Sequence, residues 1–547
     1  MPSILNASGF PRTARPNIYT KVDASALAGG AVESGNIAIV GDFPTFPSAE
    51  PVSFSSRRSM VAYDSQGREL SMIAQLCFNP SADPAVSAGA SSVTIVNARE
   101  LCTRATATIG AITLNSKLYG LRGNATRATL SISGDTHTLV IDRGGLSEEF
   151  KVTGGAVATI TNNTGGEITV NLESGELTVL NDQAATLLTV TTEEAPDLRS
   201  ALLLVGQLAG VTATLIEPRS IPLDELEAFD LVLADGVTDN IEATNQTLYS
   251  ELANSQLVSA SISTLASAGN LTASTNYLSG GSQGANVNTA SALEAIENSN
   301  IQILVLHDFT EGRQIALKAH LSAAARAGYE RQAYTAIEGS SNLAAIRSRA
   351  AKLNSADIAL ACQSIELYDA QGRKVERDAR FTAILFAGMQ AGSDIGEPLT
   401  RKRPTIIATS QGFDTHADAE EALRSGTIFI SQGPTGPRVE RSLTTHLEDD
   451  NPILSELSAY ESVISSLRDM RVALADQIGR PTQAGQVALI ESRASARLAQ
   501  QVRDGLIKAF ANLSLEDLGD QVAVSYDVAP LEPLNFITVT AITKRIS

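Results

Sequence analysis

Tryptophan is absent from this chain of 547 residues, and aromatic residues make up only 4% of it. Small-molecule sites tend to recruit aromatic walls, so the sequence offers little material for one. Cysteine is scarce as well. Cys77, Cys102 and Cys362 are odd in number, far apart and set among apolar residues, unlike a disulfide framework or a zinc site. They are expected to be buried thiols. The most apolar stretch, 201–216, is broken by Gln207, Gly210 and Thr212, short of the roughly 20 residues that a spanning helix needs. No transmembrane helix is expected. The opening Met1-Pro2-Ser3-Ile4-Leu5-Asn6 has neither the basic start nor the apolar run of a secretory signal, so cytosolic synthesis and folding are expected.

Positive charge is also in deficit. Lys and Arg number 41 against 60 Asp and Glu, a formal charge of −19, which disfavours nucleic acid or anionic lipid as the main partner but leaves room for a local basic patch. Apolar residues at 43% and charged residues at 18% describe a soluble globular protein. Its length suggests about three or four domains.

Catalytic motifs are missing or poorly placed. No Gly-x-x-x-x-Gly-Lys-Ser/Thr loop, Cys-x-x-Cys pair or His-Glu-x-x-His occurs. Gly280-Gly281-Ser282-Gln283-Gly284 matches the Gly-x-Ser-x-Gly nucleophile elbow, with His307, His320, His416 and His446 downstream. An elbow needs an apolar strand before the serine and a helix directly after it, whereas 270–279 is polar and the next helix begins near Thr289. A Gly-rich connector explains it better. His307-Asp308 with Glu311 has no second ligand cluster at metal-binding spacing. Glu448-Asp449-Asp450-Asn451 lacks the glycine and distal glutamate of a calcium loop, and reads as acidic sequence before a helix N-terminus. An enzyme is not expected, and neither a cofactor nor a metal.

The fold class expected is mixed α/β and multi-domain. Residues 1–30 read as an extended arm rich in Pro and Gly. Residues 31–106 begin an α/β core with strands at 36–40 and 92–97. Residues 107–195, where 129–133, 138–141, 167–172 and 176–180 alternate apolar and polar positions between Gly-rich turns, read as an inserted, outward-facing all-β domain. The core resumes over 196–403, with strands at 301–306 and 357–362, helices at 315–327 and 341–353, and a polar loop at 259–288. A C-terminal domain over 404–530 opens with a strand at 405–408, a helix at 417–425 and a strand at 427–431. It then carries a helix through Leu454, Leu457, Tyr460, Ile464, Leu467, Arg471, Leu474 and Ile478, and a second from Ala484 to Phe510. Val522, Val524, Tyr526 and Val528 then alternate, and 531–547 is a terminal strand or arm. Extended termini can pair with their own sheet or with the open edge of a neighbour's.

Several segments in this order resemble the contractile tail sheath proteins of bacteriophages, the family shared with tailocin and type VI secretion sheaths. Pro16-Asn17-Ile18-Tyr19 is similar to their Pro-Gly-Val-Tyr entry, with Asn17 where glycine is usual. Gly35-Asn36-Ile37-Ala38-Ile39-Val40-Gly41 is similar to their first core strand. Leu118-Tyr119-Gly120-Leu121-Arg122-Gly123-Asn124 is similar to their Pro-Gly-x-x-Gly-Asn turn, with Tyr119 replacing proline. Leu278 to Gly284, then the helix at 292–296 and strand at 301–306, resembles their Leu-x-Gly-Gly-x-x-Gly segment. Gly426 to Ile430 and Pro437 to Thr445 resemble the strand pair leading into their C-terminal helices.

The resemblance implies a non-enzymatic structural subunit that polymerises with itself as stacked hexameric rings in a helical array around a tail tube protein. It implies baseplate and tail terminator proteins as further partners, no membrane insertion, and a place in the virion tail after assembly in the host cytoplasm. It also implies that the termini exchange strands with neighbours: Asn17, Ile18, Tyr19, Thr20, Lys21 and Val22 at one end, and Phe536, Ile537, Thr538, Val539, Thr540, Ala541 and Ile542 at the other. From the family architecture the tube is expected to meet Glu456, Glu461, Arg468, Arg471 and Asp476. The alternatives are the sheath of a phage-derived tailocin or type VI-like injection device or, from another class, a secreted S-layer-like surface protein, suggested by the acidic, Ser/Thr-rich β region.

Overall fold

A computed structural model describes residues 35–535 except 65–66, 87–88, 135, 154–155, 174, 217–220, 227, 263–270, 340–341, 410–411, 414, 435, 450, 479–484 and 518–521. The expected exchange segments, 17–22 and 536–542, lie outside the described residues. Among the described residues no helix is long and apolar enough to cross a membrane.

The core is built on a seven-stranded sheet in the order Val52–Phe54, Ser92–Asn97, Asn36–Gly41, Ile303–His307, Gln332–Ala336, Ile358–Ala361 and Thr427–Ile428. Only the first pair is antiparallel. Strands buried on both faces read as unbroken apolar runs, and Ile37, Ala38, Ile39 and Val40 are all fully buried. Their side chains alternate: Ile37 and Ile39 join helices Arg68–Phe78 and Ala379–Ala391, while Ala38 and Val40 face Glu311–Ala327 and Leu343–Leu353.

The Ala379–Ala391 helix is buried on almost every side, and Gly388 explains how it crosses Arg68–Phe78 so closely. A Cβ at Gly388 would lie 2.2 Å from the Leu76 carbonyl oxygen. Gly388→Ala should therefore cost about 1–3 kcal/mol by overpacking, read as a lower urea midpoint; an unchanged midpoint would mean that the helices separate freely.

Between Ser92–Asn97 and Ile303–His307 the chain leaves the core and returns along a narrow ribbon. Arg99 pairs with Val287, Thr103 with Ser282 and Thr106 with Ser279, and Asn288 N donates to Ala98 O at 2.6 Å. Two β units hang from this ribbon, one inside the other. The first joins the sheets Val258–Ile262/Ile112–Tyr119/Arg104–Ile109 and Ser274–Tyr277/Arg127–Ser133/Thr136–Arg143/Leu146–Thr153 around Leu114, Leu130, Leu139 and Leu248. The second joins Thr186–Val190/Glu176–Asn181/Ile168–Glu173/Phe229–Leu233 to Val211–Leu215/Ala156–Asn162/Thr238–Glu242 around Val157, Val170 and Leu202.

This corrects the expected boundary at 195. Phe229–Leu233 pairs with Ile168–Glu173, and Val258–Ile262 with Ile112–Tyr119, so 196–278 completes the β units and is not part of the α/β core. The apolar stretch at 201–216 covers the second unit with the helix Leu198–Val205. The polar loop expected at 259–288 contains the strands Val258–Ile262 and Ser274–Tyr277. Residues 405–408 contribute only the first residue of the short strand Ala408–Thr409.

At the C-terminal end, helices Leu457–Leu474 and Gln486–Arg503 are followed by the hairpin Ala509–Asp517/Val522–Ala529. The second helix stops at Arg503, before the expected Phe510. Gly505 takes φ +73°, a left-handed conformation that ends helices, and Phe510 belongs to the strand. Ile478 also lies outside the first helix and is 82% exposed.

Candidate assembly interface

The hairpin is a two-stranded sheet with strands of nine and eight residues and no third strand among the described residues. Alone, two strands are marginally stable in water. Here one face is seated: Phe510, Leu513, Val524, Tyr526 and Val528 pack on Met470, Ala494, Leu498 and Ile507. Alternation turns Ser525 and Asp527 away from that cluster. Among the described residues neither edge has a partner strand, and an open sheet edge is a template for another strand.

A buried polar network fixes the hairpin to the two helices. Arg497 grips Asp469 with Nε at 2.6 Å and Nη2 on the second oxygen. Gln501 Nε2 donates to Asp469 at 2.7 Å, and Ser466 Oγ to Gln501 Oε1 at 2.7 Å. Ser466 Oγ also meets the Tyr526 hydroxyl at 3.1 Å, and Ser462 Oγ donates to Leu506 O. The open sheet is thus presented by a rigid support.

Polar contacts also join this unit to the core. Arg441 pairs with Glu456 at 2.5 Å, and Asn535 Nδ2 donates to the same carboxylate at 2.9 Å, pinning the last described residue. Glu461 accepts from Gln390 Nε2 at 2.9 Å and from Gly396 N at 3.2 Å. Arg471 forms a bidentate pair with Glu330 and donates to Gly328 O at 2.7 Å.

The five residues expected to meet a tube therefore form no single exposed row. Glu456 and Glu461 are buried, Arg468 is half-buried with an unpartnered Nε, and Arg471 is bonded to the core. Asp476 is exposed and pairs with Arg493 at 2.6 Å. The expectation came from family architecture alone; the partners that draw Glu456 and Glu461 inward come from other segments. The first strand of the hairpin was missed because a bulge between Ala511 and Ser514, with Asn512 at φ +52°, breaks its alternation. Gly505 was the available signal.

Burial raises the Glu461 carboxyl to about 7, against the opposing hydrogen bonds from Gln390 and Gly396 and the nearby Arg468 charge. The folded protein therefore holds this proton where the unfolded chain releases it. Stability from this group is present below the ordinary value of 4.5 and is lost as pH rises through about 7. Glu461→Gln, which keeps a neutral group, should gain on the wild type by up to about 3 kcal/mol between about pH 5 and pH 8, measured as paired urea midpoints. A difference independent of pH would show that Glu461 does not titrate in this window.

In doubly wound sheets, ligands enter the crevice where the strand order reverses. Here that point lies between the ends of Asn36–Gly41 and Ile303–His307, and it is filled. His307 stacks on Phe43 at 5.4 Å and meets Phe381 edge-on at 5.3 Å. Burial lowers the imidazole to about 4, leaving it neutral, and its nearest carboxylate, Glu69, is 3.9 Å away. Asp308 pairs with Arg313, and Glu311 with Lys352 at 2.8 Å. Ser282 is exposed in the ribbon, accepts from Gly284 N at 3.2 Å and precedes no helix directly. Cys77, Cys102 and Cys362 are free and buried.

No protein-family model matches the chain. It is 25% identical over 557 residues to the tail sheath protein of Bacillus phage SP01, covering 96% of this chain and 95% of that protein. Its fold is similar to the crystal structure of the sheath tail protein from Desulfitobacterium hafniense, with TM-score 0.56 and 14% identity over 95% of this chain and 97% of the other. It is also similar to the sheath tail protein of Listeria innocua, with TM-score 0.57 and 13% identity over 93% and 95%. Along almost its whole length, the chain is similar in sequence to a phage tail sheath protein and has the fold of sheath tail proteins.

Proposed function

We propose that this protein is the structural subunit of a contractile phage tail sheath, polymerising as stacked hexameric rings around the tail tube. The single observation that carries this reading is the open-edged hairpin Ala509–Asp517/Val522–Ala529 on its rigid helical support. Residues 17–22 and 536–542 of neighbouring copies add strands to its two edges. A donated strand of about ten residues makes roughly five main-chain bonds at about 1 kcal/mol net each. Burial of Ile537, Val539 and Ala541 adds roughly 25 cal/mol per Å². Each junction is modest, but repetition through a lattice makes the array stable while the linkers beside the strands let rigid bodies reorient without separating.

The work of such a subunit is mechanical. Contraction releases energy held in the extended array and drives the tube through the host envelope, with the baseplate and terminator at its two ends. The tube-facing surface is assigned to the distal end of Leu457–Leu474 and the following turn, where Val472 and Asp476 are exposed. The plugged crevice at His307 is consistent with a role that uses no nucleotide. The β units at 104–278 are displayed outward.

Deletion of 536–547 tests the reading. The shortened subunit should stay folded and soluble but form no tubes under conditions where the full chain does, as seen by negative-stain electron microscopy. Tubes of normal length from the shortened chain would contradict strand donation.

A further inference from the structure

Against a formal charge of −19, one place on the core gathers positive charge. The segment 401–404 runs beside Gly436–Val439, held by Arg401 N to Val439 O at 2.8 Å and Val439 N to Lys402 O at 3.0 Å. On its other side Pro404 pairs with Ser81, and Ser81 Oγ donates to Arg403 O at 2.5 Å. Lys402 turns inward, 7% exposed, and pairs with Glu397 at 2.5 Å. Arg401 and Arg403 turn the other way and meet Arg438 around a concavity of about 360 Å³, completed by Ala82, Asp83 and Pro84.

These arginines are poorly neutralised. Arg401 reaches Glu440 only at 3.4 Å. Among the described residues neither Arg403 nor Arg438 forms an ion pair, and the Arg438 Nε is buried with no hydrogen-bond partner. The one acid lining the concavity, Asp83, accepts from Ala85 N at 3.2 Å. Arg401 also holds φ +65°, a left-handed conformation that disfavours non-glycine residues. Three guanidinium groups at one concavity repel each other unless an anion enters, and their planar forks suit carboxylates.

We propose that Arg401, Arg403 and Arg438 form a docking site for carboxylates on a second copy of this chain. The proposal rests on the reading of the protein as a self-assembling subunit. Charge complementarity identifies the occupant: every copy carries 60 Asp and Glu against 41 Lys and Arg, so a neighbour's surface is rich in acceptors. Among the described residues Ala82 and Pro84 are the only apolar lining residues, unlike the mostly apolar walls of a small-molecule pocket.

The test uses the full-length chain. Arg403→Glu with Arg438→Glu should raise the critical concentration for assembly at least about tenfold, equivalent to 1.4 kcal/mol. Sedimentation from roughly 0.05 to 0.5 M NaCl should show a flatter salt dependence than wild type. Arg403→Gln with Arg438→Gln, which removes charge without reversing it, should move both readouts the same way by less, and covers the case in which the reversed pair fails to fold. Wild-type critical concentration and salt dependence in the Gln pair, from a wild type that does assemble, would overturn this inference alone. A wild type that never forms tubes would overturn the assembly reading, and this inference with it.

Discussion

Excising residues 104–278 and joining Thr103 to Ser279 through a short Gly/Ser linker should leave a cooperatively folded α/β core. Both cut ends lie in the ribbon where Thr103 pairs with Ser282 and Arg99 with Val287, so closing the gap asks for little movement. The core sheet draws no strand from the excised segment. The excision loses Arg122 to Asp64 at 2.6 Å and Tyr119 N to Thr45 O at 3.1 Å, the first from a carboxylate that is buried.

Removing only 107–190 should have the opposite result. It would strip Phe229–Leu233 of its partner Ile168–Glu173, Val258–Ile262 of Ile112–Tyr119, and Ser274–Tyr277 of Arg127–Ser133. Apolar faces such as Leu248 and Leu202 would lose their cover. That protein should bind a hydrophobic dye and aggregate, while the 104–278 excision melts in one sharp transition by circular dichroism. Sharp melting of both, or of neither, would contradict the nested arrangement. If the β units are displayed outward as proposed, the longer excision should still form tubes.

The second large effect is expected at Asp469. Its carboxylate is buried and holds Arg497 and Gln501 together. Asp469→Ala removes the buried carboxylate that Arg497 and Gln501 share, and losing hydrogen bonds to a charged group costs about 1.5–3 kcal/mol. Asp476→Ala, which removes an exposed partner of Arg493, should cost about 0–1 kcal/mol. Because the network also reaches Tyr526 through Ser466, the hairpin should loosen with the helices. Faster amide exchange at 522–529 in Asp469→Ala, with exchange in Ile303–His307 unchanged, is the expected pattern; equal effects of the two substitutions would mean that the network is not a latch.

The readability of this fold from sequence follows burial. Strands such as Asn36–Gly41 and Ile303–His307 are covered on both faces and carry almost only apolar residues, so their composition announces them. The long C-terminal helices were readable through their spaced apolar positions. Ser274–Tyr277, a strand of Ser, Thr, Asn and Tyr, has no such signature, because its place is fixed by pairing with Arg127–Ser133 more than by its own residues. The nested β units were cut in the wrong place for the same reason: pairing between segments some 60 and 140 residues apart leaves no local trace. At the assembly interface, alternation revealed Val522–Ala529 but not its bulged partner. The burial of Glu456 and Glu461 has no local sequence signature, because Arg441 and Gln390, which partner them, lie 15 and 71 residues away.

The most direct measurement is a helical reconstruction by cryo-electron microscopy of tubes grown from the full-length chain. Strand donation predicts main-chain density for 536–542 of one copy in strand register along an edge of another copy's 509–529 hairpin, with residues 17–22 of a further copy on the opposite edge. Tubes in which those segments fold back on their own subunit, leaving the hairpin edges bare, would contradict it.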